Sequence, residues 1–161
     1  MTEQAADVVV RQSIVVQAPI ERAFQIYTEG LASWWPMSTH HIGEVEPATV
    51  VTELRQGGRQ YERAPDGTEC TWGYVLAYEP PHRIVTSWHL QGDWKFDPDP
   101  EKASVVTVTF TPEGDSQTRV ELEHGELWRH GEGAEHIREQ ISQPGGWRGL
   151  LELFAKAAEA A

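Results

Sequence analysis

Cysteine is almost missing from this chain. Cys70 stands alone, which excludes an intramolecular disulfide and a cysteine-built zinc cluster. Positive charge is scarce as well: 13 Lys and Arg face 25 Asp and Glu, for a net charge of −12. A duplex-binding protein needs a basic face, so nucleic acid and anionic membrane surfaces are poor partners. No apolar run approaches the roughly 20 residues of a membrane span. The opening MTEQAADVVV has no basic region, and its apolar run is too short for a signal peptide. A cytoplasmic protein is expected.

Metal-binding spacing is lacking too. His40 and His41 are adjacent in an extended loop and point apart, and no HExxH pattern occurs. His124, His130 and His136 recur every six residues, which fits neither helix nor strand. Asp97, Asp99 and Glu101 alternate as in a calcium loop, but two prolines and the missing glycine argue for a solvated loop. Gly57-Gly58 has no Lys-Ser/Thr pair after it, so it reads as a turn and not a phosphate cradle. Neither metal nor cofactor is expected.

What is abundant is tryptophan, with seven in 161 residues. Each brings a large apolar area and one N–H that wants a partner. The plain explanation is a bulky core; the sharper one is an aromatic-lined pocket.

The segment SQPGGWRGLLELFAKAAEAA at 142–161 places Trp147, Leu150, Leu151, Phe154, Ala155 and Ala158 on one helical face. Ser142 is expected to cap this helix, with Pro144 in its first turn. Val8 to Val16 is β-branched and predicts a strand. Pro19 opens a helix whose apolar face is Ile20, Ala23, Phe24, Tyr27 and Leu31, with Gly30 at its end. Strands are then expected at Thr49–Leu54, Arg59–Arg63, Cys70–Tyr78, Arg83–Leu90, Ser104–Thr111 and Thr118–His124. Alternation puts Trp72, Tyr74, Leu76 and Tyr78 on one side of their strand, and Ile84, Thr86 and Trp88 on one side of the next. Short turns make the neighbours antiparallel. The class is α+β: a sheet of about seven strands covered by the C-terminal helix, in a single domain over 1–161.

In this order, APIERAFQIYTEGLASWWP at 18–36, GGRQY at 57–61, DGT at 66–68, WGYVLAYEPPHRIVTSW at 72–88, VTVTFTPEG at 106–114, TRVELEHGE at 118–126 and GGWRGLLELF at 145–154 resemble the helix-grip, START-like superfamily (SRPBCC). Within it, the chain resembles the activator of heat-shock-protein-90 ATPase homologue-like family. The resemblance implies a curved antiparallel sheet gripping the C-terminal helix, with a cavity between them that holds apolar molecules in many members. It carries no shared catalytic motif, so no catalytic residue is assigned.

The expected cavity residues are Trp34, Trp35, Tyr61, Trp72, Tyr74, Trp88, Phe110, His124, Trp147 and Leu151. His124 shares the inward parity of Val120 and Leu122; it is expected to be satisfied by backbone or buried water, with a polar anchor or general base as the alternative. The function expected is binding of a small hydrophobic or aromatic molecule, without catalysis. The alternatives are a cyclase or hydrolase acting in the same cavity, and a co-chaperone-like activator of a heat-shock-protein ATPase. A small apolar molecule is the expected partner; a homodimer and a chaperone partner are left open.

Overall fold

The computed structural model describes residues 9–91 and 93–160. Among the described residues seven strands form one antiparallel sheet: β1 (Val10–Val16), β2 (Thr49–Thr52), β3 (Arg59–Arg63), β4 (Glu69–Glu79), β5 (Arg83–Trp88), β6 (Ser104–Gly114) and β7 (Gln117–Gly125). Their order is β1-β7-β6-β5-β4-β3-β2. A meander thus runs from β2 to β7, and β1 closes onto β7 with Val10 opposite His124 and Val16 opposite Thr118. Val8, expected in the first strand, lies outside the described residues. Helix α1 (Ile20–Thr28) follows β1; α2 (Ala134–Ile141) and α3 (Trp147–Ala160) end the chain.

The central hairpin shows how the pattern becomes a core. Val106, Val108 and Phe110 of β6 and Val120, Leu122 and His124 of β7 are all buried, and they pair directly across the ladder. Arg119, Glu121 and Glu123, between them, face solvent. Helix α3 covers the apolar side with the six residues its periodicity selects, all buried. Each such large side chain contributes about 1.5–3 kcal/mol through burial. Gln17 N donates to the Glu159 carboxylate at 2.9 Å, tying the end of α3 to the exit of β1.

The last fifth of the chain differs from expectation. Two short 3-10 turns within Leu127–Gly133, separated by a kink at Gly131, and then α2 precede α3. Ser142 ends α2 instead of starting α3, and Pro144 lies in the turn between the two helices. The reason is compositional. AEHIREQI offers only three buried residues, Ala134, Ile137 and Ile141, so its apolar stripe is thin, and glycines flank it.

Strand β4 carries the other departure. Two register shifts interrupt it, one where Gln60 pairs with Gly73 but Tyr61 with Thr71, the other between Val75 and Ala77. Each extra residue reverses which side the following side chains face. Trp72, Val75 and Tyr78 turn toward the core, while Tyr74 turns away and Leu76 is exposed. Gly73 makes the first shift feasible: a Cβ there would overlap the Ser87 carbonyl of β5.

Candidate functional site: a tryptophan-walled cavity

The space between sheet and helices is filled at one end and open at the other. At the filled end, Phe24 and Tyr27 of α1 meet Phe110 edge-on at 5.1 and 5.7 Å between ring centres, and Tyr27 and Trp34 meet Phe154 at 5.4 and 5.6 Å. Phe110, Leu151 and Trp34, expected at the cavity, therefore lie in solid core. All three are almost wholly buried, and the Trp34 indole N–H is satisfied by the Ile26 carbonyl at 2.9 Å. Strand parity assigned Phe110 to the gap, helical periodicity Leu151, and its place on a turn Trp34, but α1 occupies that part of it.

Where α1 does not reach, a cavity of about 440 Å³ remains. Five tryptophans border it: Trp35, Trp72, Trp88, Trp94 and Trp147. Trp35 and Trp72 lie parallel, with centres 6.0 Å apart and planes within 8°. Trp88 packs edge-on against Trp94 and Trp147, at 6.3 and 5.7 Å. Trp94 has φ 63°, a left-handed conformation that a bulky residue seldom adopts. Such strain persists only where surroundings impose it, and it clusters at ligand sites.

Tyr61 and Tyr74 stand on the opposite side of the sheet. Glu62 borders the cavity, so its neighbour Tyr61 points away, covered by the guanidinium groups of Arg59 and Arg63. Tyr74 packs on His89 and Phe96 over a second, shallower depression. The bulge at Trp72 explains the difference for Tyr74, as above.

His124 sits one layer behind the wall, fully buried, with ring centre 5.3 Å from Trp88 and 6.1 Å from Trp147. Side chains satisfy it, not backbone or water. Trp147 Nε1–H donates to its Nδ1 at 3.0 Å, so the ring proton is on Nε2 and donates to Ser104 Oγ at 2.7 Å. Ser104 in turn donates to His130 Nε2 at 2.7 Å, and His130 Nδ1 donates to Gln91 Oε1 at 3.1 Å. The Gln91 amide finishes the chain on the carbonyls of His89 and Lys102. Every proton in this row has one direction. Burial, then the neighbouring His130, lowers the His124 pKa from 6.5 to about 3. Burial, then His89, lowers that of His130 to about 4. Both rings are neutral at pH 7. Two of the histidines at six-residue intervals do meet, around a serine hydroxyl. Among the described residues no three His, Cys, Asp or Glu side chains are grouped to hold a metal.

The sequence reading missed Ser104, Gln91 and Glu62, and weighed His130 only as a metal ligand. Only Ser104 left a signal, since it shares the inward parity of Val106, Val108 and Phe110.

The loop 36–48 closes one side of the cavity, pinned at three points. Trp35 Nε1 donates to the His40 carbonyl at 2.9 Å, and His40 Nε2 donates to the Gly145 carbonyl at 3.1 Å. The buried Glu62 carboxylate accepts Ile42 N at 2.7 Å and Gly43 N at 3.1 Å.

The family described as Activator of Hsp90 ATPase homolog 1-like protein matches residues 17–159. The chain belongs to this family. Its fold is the helix grip of the START-like superfamily. An anthrahydroquino-gamma-pyrone synthase, Txn09, is 40% identical over 95% of this chain and 99% of its own, with a TM-score of 0.66. The self-sacrificing resistance protein CalC from Micromonospora echinospora is 32% identical over 96% of both chains, with a TM-score of 0.71. Protein Ms6760 from Mycobacterium smegmatis, at 23% identity, 99% and 93% coverage and a TM-score of 0.60, shares the fold. No curated protein matches the chain. Among the described residues no helix is long and apolar enough to cross a membrane.

Proposed function

We propose that this family member binds a flat, polycyclic aromatic molecule in the tryptophan-walled cavity. The observation that carries the reading is the parallel Trp35–Trp72 pair bordering a 440 Å³ space together with three further indoles. That volume lies in the roughly 300–1,000 Å³ range of small-molecule sites. Offset-stacked rings are a preferred aromatic geometry, and a planar ligand extends the stack while displacing water from indole surface. The 40% identity to a protein named as a synthase of a fused aromatic pyrone supports the same ligand class. It also favours a second reading, in which the bound molecule undergoes ring closure. The two part on whether the ligand leaves unchanged.

Titration with anthraquinone, followed by quenching of tryptophan emission and by calorimetry, tests binding. A dissociation constant in the micromolar range and a negative heat-capacity change are expected. Trp72→Ala should weaken binding by about tenfold or more, through lost stacking. Absence of binding below millimolar concentration would sink the reading. Mass spectrometry of the recovered ligand decides between binding and conversion.

A further inference from the structure

The wall of indoles can stack on a ligand and offer N–H donors, but indole has no acceptor. Trp35 and Trp147 have already committed their N–H groups, and that of Trp88 is buried with no partner among the described residues. Polar recognition falls to the loop and to α2. Among the described residues three titratable side chains border the cavity: His40, His41 and Glu62. Glu62 spends both carboxylate oxygens on the amides of Ile42 and Gly43. His40 donates through Nε2 to the Gly145 carbonyl and accepts the Thr39 hydroxyl at Nδ1, 2.8 Å away. His41 is different. Its Nδ1 lies 2.9 Å from the Gly43 carbonyl, which can only accept, so the ring proton is on Nδ1 and the lone pair on Nε2. That Nε2 has no partner among the described residues, yet it is not a sealed atom as Trp88 Nε1 is. An acceptor of fixed tautomer is left reachable.

The mounting is firm. Gly43, which orients the imidazole through its carbonyl, is itself held through its N–H by Glu62. No side chain fits easily at that position: a Cβ would stand 3.1 Å from Glu62 Oε2 and 3.5 Å from Cys70 Sγ. The amides of Gln140 and Gln143 also border the cavity, but an amide can turn either end to a ligand, whereas His41 presents only a lone pair.

We propose that His41 sets the specificity of the cavity by accepting, at Nε2, a hydrogen bond from a hydroxyl group on the ring of the bound aromatic molecule. This rests on the aromatic-binding reading above and narrows it to hydroxylated ring systems. A phenolic hydroxyl donates to the imidazole while its ring stacks on the tryptophans; a methyl ether at the same carbon stacks equally but cannot donate.

The test compares 2-hydroxyanthraquinone with 2-methoxyanthraquinone, on wild type and on His41→Asn. Asn keeps a donor near the place of Nδ1, and so the bond to Gly43, while deleting Nε2. Wild type should prefer the hydroxyl compound by about three- to tenfold, the range of one net hydrogen bond. In His41→Asn the preference should fall to about one, with methoxy affinity within about twofold of wild type. A red shift of the hydroxyanthraquinone absorption band, present only in wild type, would report the strengthened O–H···N contact. Equal affinity of wild type for the two compounds overturns the proposal and leaves the cavity reading standing. So does a preference that survives in His41→Asn. If neither compound binds wild type, the cavity reading fails and takes the proposal with it. Because the ligand pair is compared on wild type first, a variant that fails to fold does not protect the idea.

Discussion

Ser104→Ala should be among the most damaging single-atom changes in the protein. The Ser104 hydroxyl is fully buried and joins two neutral imidazoles, each 2.7 Å away. Neither histidine can adjust its tautomer to the loss. His124 must keep Nδ1 unprotonated to receive Trp147 N–H, so Nε2–H is left pointing at a methyl group. His130 must keep its proton on Nδ1 for Gln91, whose amide is fixed in turn by two carbonyls, so its Nε2 lone pair is orphaned. An unsatisfied buried polar group costs about 1–3 kcal/mol, so two predict a loss of about 2–6 kcal/mol. The hole left by one oxygen is too small to admit a well-bonded water. Urea unfolding, read by circular dichroism, should show an unchanged slope and a midpoint lower by roughly 1–3 M, taking a slope of about 2 kcal/mol/M. A loss below about 1 kcal/mol would refute the reasoning, since the row of protons would then have a way to rearrange.

The same histidines govern acid stability. Their folded pKa values, about 3 and about 4, lie below the unfolded value of 6.5, so the unfolded chain takes up protons first. Their contribution is complete above pH 6.5 and drains away as pH falls, to about 4 for His130 and about 3 for His124, at up to roughly 1.4 kcal/mol per pH unit for each ring. Urea midpoints at pH 7, 6 and 5 should fall steadily; a flat profile would contradict the burial. Leu151→Ala, in the solid part of the core, should cost about 2–5 kcal/mol by leaving a void, without changing ligand preference. A smaller loss in thermal and urea unfolding would mean that α3 is not clamped to the sheet as described.

How much of this was legible beforehand follows from which signals are local. Alternation in β6 and β7 and the 3.6 period of α3 are written in neighbouring residues, so the core faces, the meander from β2 to β7 and the six buried positions of α3 could be read directly, whereas the pairing of β1 with β7 could not. Nor could the bulges in β4. Whether Tyr74 faces the cavity depends on one extra residue opposite β3, and nothing in WGYVLAY marks which residue is extra. The division of the gap into filled and open parts was equally hidden, because it depends on how far α1 reaches across the sheet. Phe110 and Trp88 share the inward side of adjacent strands, yet one is covered by Phe24 and Tyr27 while the other borders the cavity. The ties of Glu62 to Ile42 and Gly43 span about 20 residues, and no periodic pattern encodes a carboxylate that holds a loop.

The bulge at Trp72 has a bearing on how such a cavity can change over time. Gly73 lets the β4 backbone press against β5, and that contact carries Trp72 inward. The Trp72 half of the stacked pair is therefore built into the sheet, where substitution at Gly73 breaks the ladder, while Trp35 stands on the turn leading into the loop 36–48. The rest of the rim (residues 39–42, Trp94 and 140–146) hangs on turns and helix ends. Substitutions there leave the ladder untouched. The molecule separates a heritable stacking plane from an interchangeable edge, so relatives can diverge in what they hold while keeping the surface on which they hold it.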